Sequence, residues 1–214
     1  MIAVRLCDIV LIAFKTEKKG IKMKTSKIMA ASLAAVTILL AGCAGITHEP
    51  KVDVSSLKEV SQTDFYSALS TVGIEENDTS IMENTAFSFS NDTQSFEIIC
   101  NIDASSENGN FYSYTQCDDE ATAKALFDYY YQDYKDILDA KNFSGIKSTE
   151  IGNNTAYLLI DGRYNDTSDN TYTPYHDALF LKGDTVIVAI ASNYDLTIEK
   201  EVNNFLDALG YPHP

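Results

Sequence analysis

From Ser95 to Ala104, apolar Phe96, Ile98, Cys100, Ile102 and Ala104 alternate with Glu97, Asn101 and Asp103. This period of two marks a half-buried strand. Its partner is read over Asn110–Cys117, with Phe111, Ser113, Thr115 and Cys117 on one face and Tyr112 and Tyr114 on the other. Between them lies Glu107-Asn108-Gly109-Asn110, and Asn-Gly is the strongest short signal for a type I′ two-residue hairpin. With Glu107 facing Asn110, Cys100 falls opposite Cys117 on a non-hydrogen-bonded pair, where Cα atoms lie about 4.5 Å apart. The spacing predicts a Cys100–Cys117 cross-strand disulfide; the alternative is two reduced, buried thiols side by side.

Elsewhere the period changes to that of a helix. Phe65, Ala68, Leu69 and Val72 form one face over Gln62–Val72, with Ser61 or Thr63 as cap and Gly73 as stop. A longer helix is predicted over Asp119–Lys141. Its apolar stripe is Ala123, Leu126, Phe127, Tyr130, Tyr134, Ile137 and Leu138, and acidic residues cluster at its start. A last helix, Thr197–Leu209, turns Ile198, Val202, Phe205, Leu206 and Leu209 inward and ends on Gly210. Further strands are read at Thr85–Ser90, Lys147–Ile151, Ala156–Tyr164, Tyr175–Lys182 and Thr185–Ala191, the last two joined at Gly183-Asp184 and the most apolar of all. The order α-βββ-α-ββββ-α predicts an α+β fold, an antiparallel β-sheet covered by helices, with that apolar pair at the sheet centre.

The N-terminal region follows another pattern. Met23-Lys24-Thr25-Ser26-Lys27 is a short basic head, Ile28 to Leu40 an apolar run, and Leu40-Ala41-Gly42-Cys43 closes it. This is the layout of a secretory signal, and the run is shorter than the about 20 apolar residues of a membrane span. Leu-Ala-Gly-Cys resembles the lipobox of bacterial lipoproteins. The resemblance implies cleavage before Cys43, a diacylglyceryl group on its sulfur, and attachment at the extracytoplasmic face of the cell membrane through that lipid. Residues 1–22 read as an upstream mis-start, 23–42 as the signal peptide, 43–60 as a polar tether and 61–211 as one domain. The helix ending in Gly73, the Ala/Phe/Tyr-rich stretch Ala121–Tyr134 and the closing Leu209-Gly210-Tyr211 are similar to small Gram-positive lipoproteins of unassigned activity. That resemblance implies location and fold and carries over no functional residue.

Cleavage before Cys43 removes seven of 16 Lys and Arg and two of 31 Asp and Glu, leaving nine against 29 in the mature chain. A net charge near −20 disfavours nucleic acid and admits cationic peptides, basic proteins or divalent cations as partners, while exposed tyrosines admit a glycan. No nucleophile-elbow, Walker or His-Glu-x-x-His sequence occurs, so no cofactor, metal or catalytic residue is assigned. His176 reads as a surface or edge histidine. Asp161–Tyr172 reads as a polar loop, and the candidate ligand surface is placed there on Arg163, Tyr164 and Tyr172. Asp166 and Asp169 lack the spacing of a calcium loop. Of the tyrosines, Tyr130 and Tyr134 are expected in the core, and Tyr112, Tyr114, Tyr129, Tyr164 and Tyr172 are the candidate surface aromatics. The expected function is a non-enzymatic binding or interaction module; the alternatives are an envelope hydrolase using an acidic pair and an accessory subunit of an envelope complex.

Overall fold

The computed structural model describes residues 53–90, 95–166, 171–192 and 195–214; Cys43, His48, Asp169 and the signal segment lie outside them. Ser61 opens helix α1, Gln62–Ser70, through a reciprocal capping box: its hydroxyl accepts from the Asp64 N–H while Asp64 accepts from the Ser61 N–H. Asp119 caps α2, Glu120–Leu138, and Asp195 caps α3, Leu196–Leu209. Gly210 ends α3 at φ 71°, and the Tyr211 N–H reaches back to the Leu206 carbonyl. Left-handed backbone of this kind is the reason a glycine stands there.

Seven strands build one antiparallel sheet: β1 Ile81–Ser90, β2 Ser95–Ser105, β3 Phe111–Cys117, β4 Phe143–Ile151, β5 Thr155–Asp166, β6 Thr171–Lys182 and β7 Thr185–Ile190. Their spatial order is β1-β2-β3-β7-β6-β5-β4. The class is α+β, and the apolar β6–β7 hairpin lies in the middle of the sheet. Helices α1 and α3 pack together on one face, where Phe65, Leu69, Val202, Phe205 and Leu206 meet Ile102, Tyr114, Tyr157, Phe180 and Ile187. The other face carries α2. Its buried Leu126, Phe127, Tyr134 and Ile137 stand against the complementary strand positions, where Tyr134 meets Asp177 of β6.

Several sequence expectations change here. Leu57 and Val60, in the stretch read as tether, are buried in the core beneath α1, and the Tyr211 hydroxyl donates to the Lys58 carbonyl at 2.7 Å. The domain therefore starts before residue 61, because these two apolar side chains complete the helix-pair layer. Asp161–Tyr172 is largely hairpin rather than loop, since β5 continues to Asp166 and β6 begins at Thr171.

The β2–β3 hairpin also differs. Its closing pair is Ser105↔Phe111, Cys100 opposes Gln116, and Cys117 opposes Ile98 across a bulge at Ile99. The Cys100–Cys117 disulfide is absent: both thiols are free and buried. Cys100 shares its face with Gln116, so alternation turns the next residue, Cys117, to the other side of the sheet. A one-residue slip exchanges faces in a strand. It therefore also buries Tyr112 and Tyr114, at 0% and 2% exposure, although both were candidate surface aromatics.

Candidate functional site

Asp161 of β5 and His176 of β6 are register partners. Above them on the helix-pair face stand Glu199 and Asn203 of α3, whose i,i+4 spacing places both on one side of the helix. His176 is not a surface residue: only 4% of it is exposed. Its Nε2 lies 3.0 Å from Asn203 Oδ1, and its Nδ1 lies 3.5 Å from Asp161 Oδ1, long for a hydrogen bond but close for an ion pair. His176 Nδ1, Asp161 Oδ1 and Glu199 Oε1 are all buried without a hydrogen-bond partner. Three polar atoms of mixed charge thus gather where β5, β6 and the start of α3 meet.

The electrostatics follow from that packing. Burial pulls the His176 proton affinity down, but the contacts with Asp161 and Asn203 and the charges of Asp161 and Glu199 outweigh it, leaving the pKa raised. Burial raises Glu199, with Asp161 and Asp195 adding to the rise and His176 and Arg163 opposing it. On the opposite face, Asp177 is buried and accepts from the Tyr134 hydroxyl at 3.1 Å. Loss of solvent pushes its carboxyl up to about 7 despite that hydrogen bond. One strand therefore carries two adjacent buried titratable groups that face opposite layers.

The candidate ligand residues do not form one surface. Arg163 is exposed on β5, two positions beyond Asp161 and on the same face, where its charge reaches Glu199. Tyr172 is 63% exposed and opposes Asn165, so alternation gives it the face of Arg163. Tyr164 is half-buried on the other face. What the sequence reading missed was the pairing of Asp161 with His176 and the use of Glu199 and Asn203. The i,i+4 pair on α3 was a usable signal; the strand pairing needed the full length of the β5–β6 hairpin.

A second feature is an open groove beside the start of α1, lined by Glu59, Asp64, Tyr114, Gln116, Asp184 and Thr185. Gln116 Nε2 donates to Asp184 at 3.1 Å, and Asp64 is held by its capping box with Ser61. The groove presents three carboxylates and no basic side chain. Among the described residues no helix is long and apolar enough to cross a membrane, and no group of three or more His, Cys, Asp or Glu is placed to hold a metal ion. Comparisons with protein-family models, curated proteins and solved structures found no match.

Proposed function

We propose that the chain is an extracytoplasmic lipoprotein, anchored through Cys43, whose α+β domain is a non-enzymatic module for a cationic peptide or protein. The observation that carries the location is the basic head, apolar run and Leu40-Ala41-Gly42-Cys43 sequence, which fit a lipid-modified export signal. A diacylglyceryl thioether supplies two acyl chains, and anchoring of that strength needs more than one. The mature acidic excess and the carboxylate-lined groove of Glu59, Asp64 and Asp184 support a cationic partner.

Fractionation of cells expressing the full chain tests the anchor. The wild type should sediment with membranes and carry a diacylglyceryl mass on Cys43, and Cys43→Ser should lose both. A Cys43→Ser chain still held in the membrane overturns the lipid reading. Titration with a Lys-rich peptide, an acidic peptide and a neutral glycan tests the module. Binding to the first alone, weakened severalfold by the pair Glu59→Gln and Asp184→Asn, is the expected result. Peptide binding indifferent to both substitutions removes the groove from the site.

The hydrolase reading has one observation in its favour: Asp161 and Glu199 both face His176. Cleavage of an envelope polymer by the full chain, lost in Asp161→Asn and in Glu199→Gln, would replace the binding reading.

A further inference from the structure

We propose that His176 is held as an imidazolium and forms a pH-sensitive clamp that seats the first half of α3 on strands β5 and β6. The ring meets oxygen on both sides: Asn203 Oδ1 at Nε2 and Asp161 Oδ1 at Nδ1. A neutral imidazole has one donor nitrogen and one acceptor nitrogen, and only the charged ring donates from both. Rotating the Asn203 amide would let a neutral ring keep both contacts, donating from Nδ1 to Asp161 and accepting at Nε2, but it would leave the carboxylates of Asp161 and Glu199 without the ring's charge. Asp161 faces the ring from β5, and Glu199 brings a second carboxylate from α3. The remaining groups replace the ring's charge only in part. Arg163 of β5 offsets part of the Glu199 charge from an exposed position, and Asn203 is neutral. Asp177, the next residue on β6, turns to the α2 face and bonds Tyr134. From the side of β7 the contact is the Ala191 N–H, which donates to the His176 carbonyl at 3.3 Å.

Loss of the proton therefore leaves two half-exposed carboxylates, each with one buried oxygen, about a nearly buried ring that has a lone pair aimed at one of them. Charge left partly desolvated without its counter-charge is costly in proportion to its burial. The strain falls on the part of α3 that holds Glu199 and Asn203. The second half is anchored by buried Phe205, Leu206 and Leu209 and by the Gly210 cap, while the first half shares its hold between the clamp, buried Val202 and the hydrogen bonds of Asn110 to Ile198 and of Tyr112 to Glu201. The clamp closes at low pH and loosens the helix from its N-terminal end as pH rises. It regulates the surface formed by α3 and the β5–β6 hairpin whatever partner the domain takes.

The chain contains only three histidines, His48, His176 and His213. Imidazole nitrogen NMR on the full chain in detergent, with histidine labelled and His176→Gln used for assignment, therefore reads the state of the ring directly. Amide hydrogen exchange over 196–203, corrected for the intrinsic effect of pH, reads the helix. We expect a His176 ring protonated on both nitrogens above the usual histidine range, with its midpoint lowered in Asp161→Asn and in Glu199→Gln. Exchange over 196–203 should rise about tenfold across the same midpoint, as expected for loss of one charge-assisted hydrogen bond, while 205–209 stays protected. A neutral ring with its proton on Nδ1 at pH 6, or a titration that leaves exchange over 196–203 unchanged, overturns the proposal. Both overturning results are read on wild-type protein, so poor folding of the Asp161 or Glu199 variant does not blunt them.

Discussion

His176 and Asp177 are consecutive residues whose titrations act on stability in the same direction. His176 has a raised folded pKa, so its contribution is complete below the unfolded value of about 6.5 and is lost as pH rises through the folded one. Asp177 is a carboxyl with a raised folded pKa, about 7. The folded state holds its proton longer than the unfolded chain does, so stability falls from the unfolded carboxylate range near pH 4 up to about pH 7. The expected outcome is a chain that loses a few kcal/mol between pH 4 and 8, against the common pattern of carboxylates that stabilise when ionised. Urea unfolding at a series of pH values measures it. Asp177→Asn, which keeps an acceptor for Tyr134, should reduce the slope below pH 7, with Asp103 and Glu199, also raised by burial, and His176 carrying what remains. An unchanged slope in that variant would place the effect elsewhere. Neither group was legible as special from its neighbours: Tyr175-His176-Asp177 reads as a polar strand start, and burial came from α2 and α3 closing over both faces of β6.

At the scale of elements, helices were more legible than strand register. Each helix has a capping residue and a stripe at the right period, and Gly210 was readable as the last cap. The β2–β3 hairpin was misread because Asn108-Gly109 looked like a two-residue turn. The connection is a five-residue loop, residues 106–110, and its register is fixed by tertiary contacts that local sequence does not encode. Asn110 is fully buried; its Nδ2 donates to the Ile198 carbonyl at 3.2 Å, and its Oδ1 accepts from the Ser192 N–H at 3.0 Å. Tyr112, turned inward by the same register, donates to Glu201 at 2.9 Å. The bulge at Ile99 then swaps faces within β2, sending Phe96 toward Tyr129 of α2 while Cys100, Ile102 and Ala104 face the helix pair. Two free thiols on separate faces should both resist alkylation in native protein and both react in denaturant without reductant. The Cys117 thiol, pushed up to about 12 by burial and by Asp118 and Asp184, is the slower. A native mass two hydrogens below the dithiol would restore the disulfide. The sheet also has a pinch at its other end, where Gly145 and Gly162 pair and the Phe143 ring lies over Gly162. A Cβ on Gly162 would sit 2.6 Å from the Ser144 carbonyl oxygen and 2.7 Å from that ring, so Gly162→Ala should cost about 2–3 kcal/mol in chemical denaturation.

For the whole molecule, the dominant fact beyond the three-layer core is unbalanced charge, −15 for the full sequence and more negative for a chain cut at Cys43. The lysine ion pairs described do little to offset it: Lys124–Asp128 at 2.5 Å and Lys147–Asp139 at 3.9 Å are both at the surface, where such pairs contribute at most about 1 kcal/mol. Acidic side chains on a compact body repel one another, and folding concentrates them. Raising salt shortens the screening length from about 30 Å at 0.01 M to about 10 Å at 0.1 M, which spans the distances between surface charges. The thermal midpoint should therefore rise over this range. Relief of about 1–2 kcal/mol would raise it by roughly 2–8 °C for a domain of this size. The dependence should be steep at low salt and shallow beyond 0.2 M, unlike a general salting effect, which grows at high concentration. A flat or falling midpoint would mean that opposite charges are better matched across the surface than these pairs suggest. The buried His176 cluster offers an internal contrast, because buried pairs are screened far less. Its NMR midpoint should move little across the same salt series, so global self-repulsion and the local clamp separate in one set of samples.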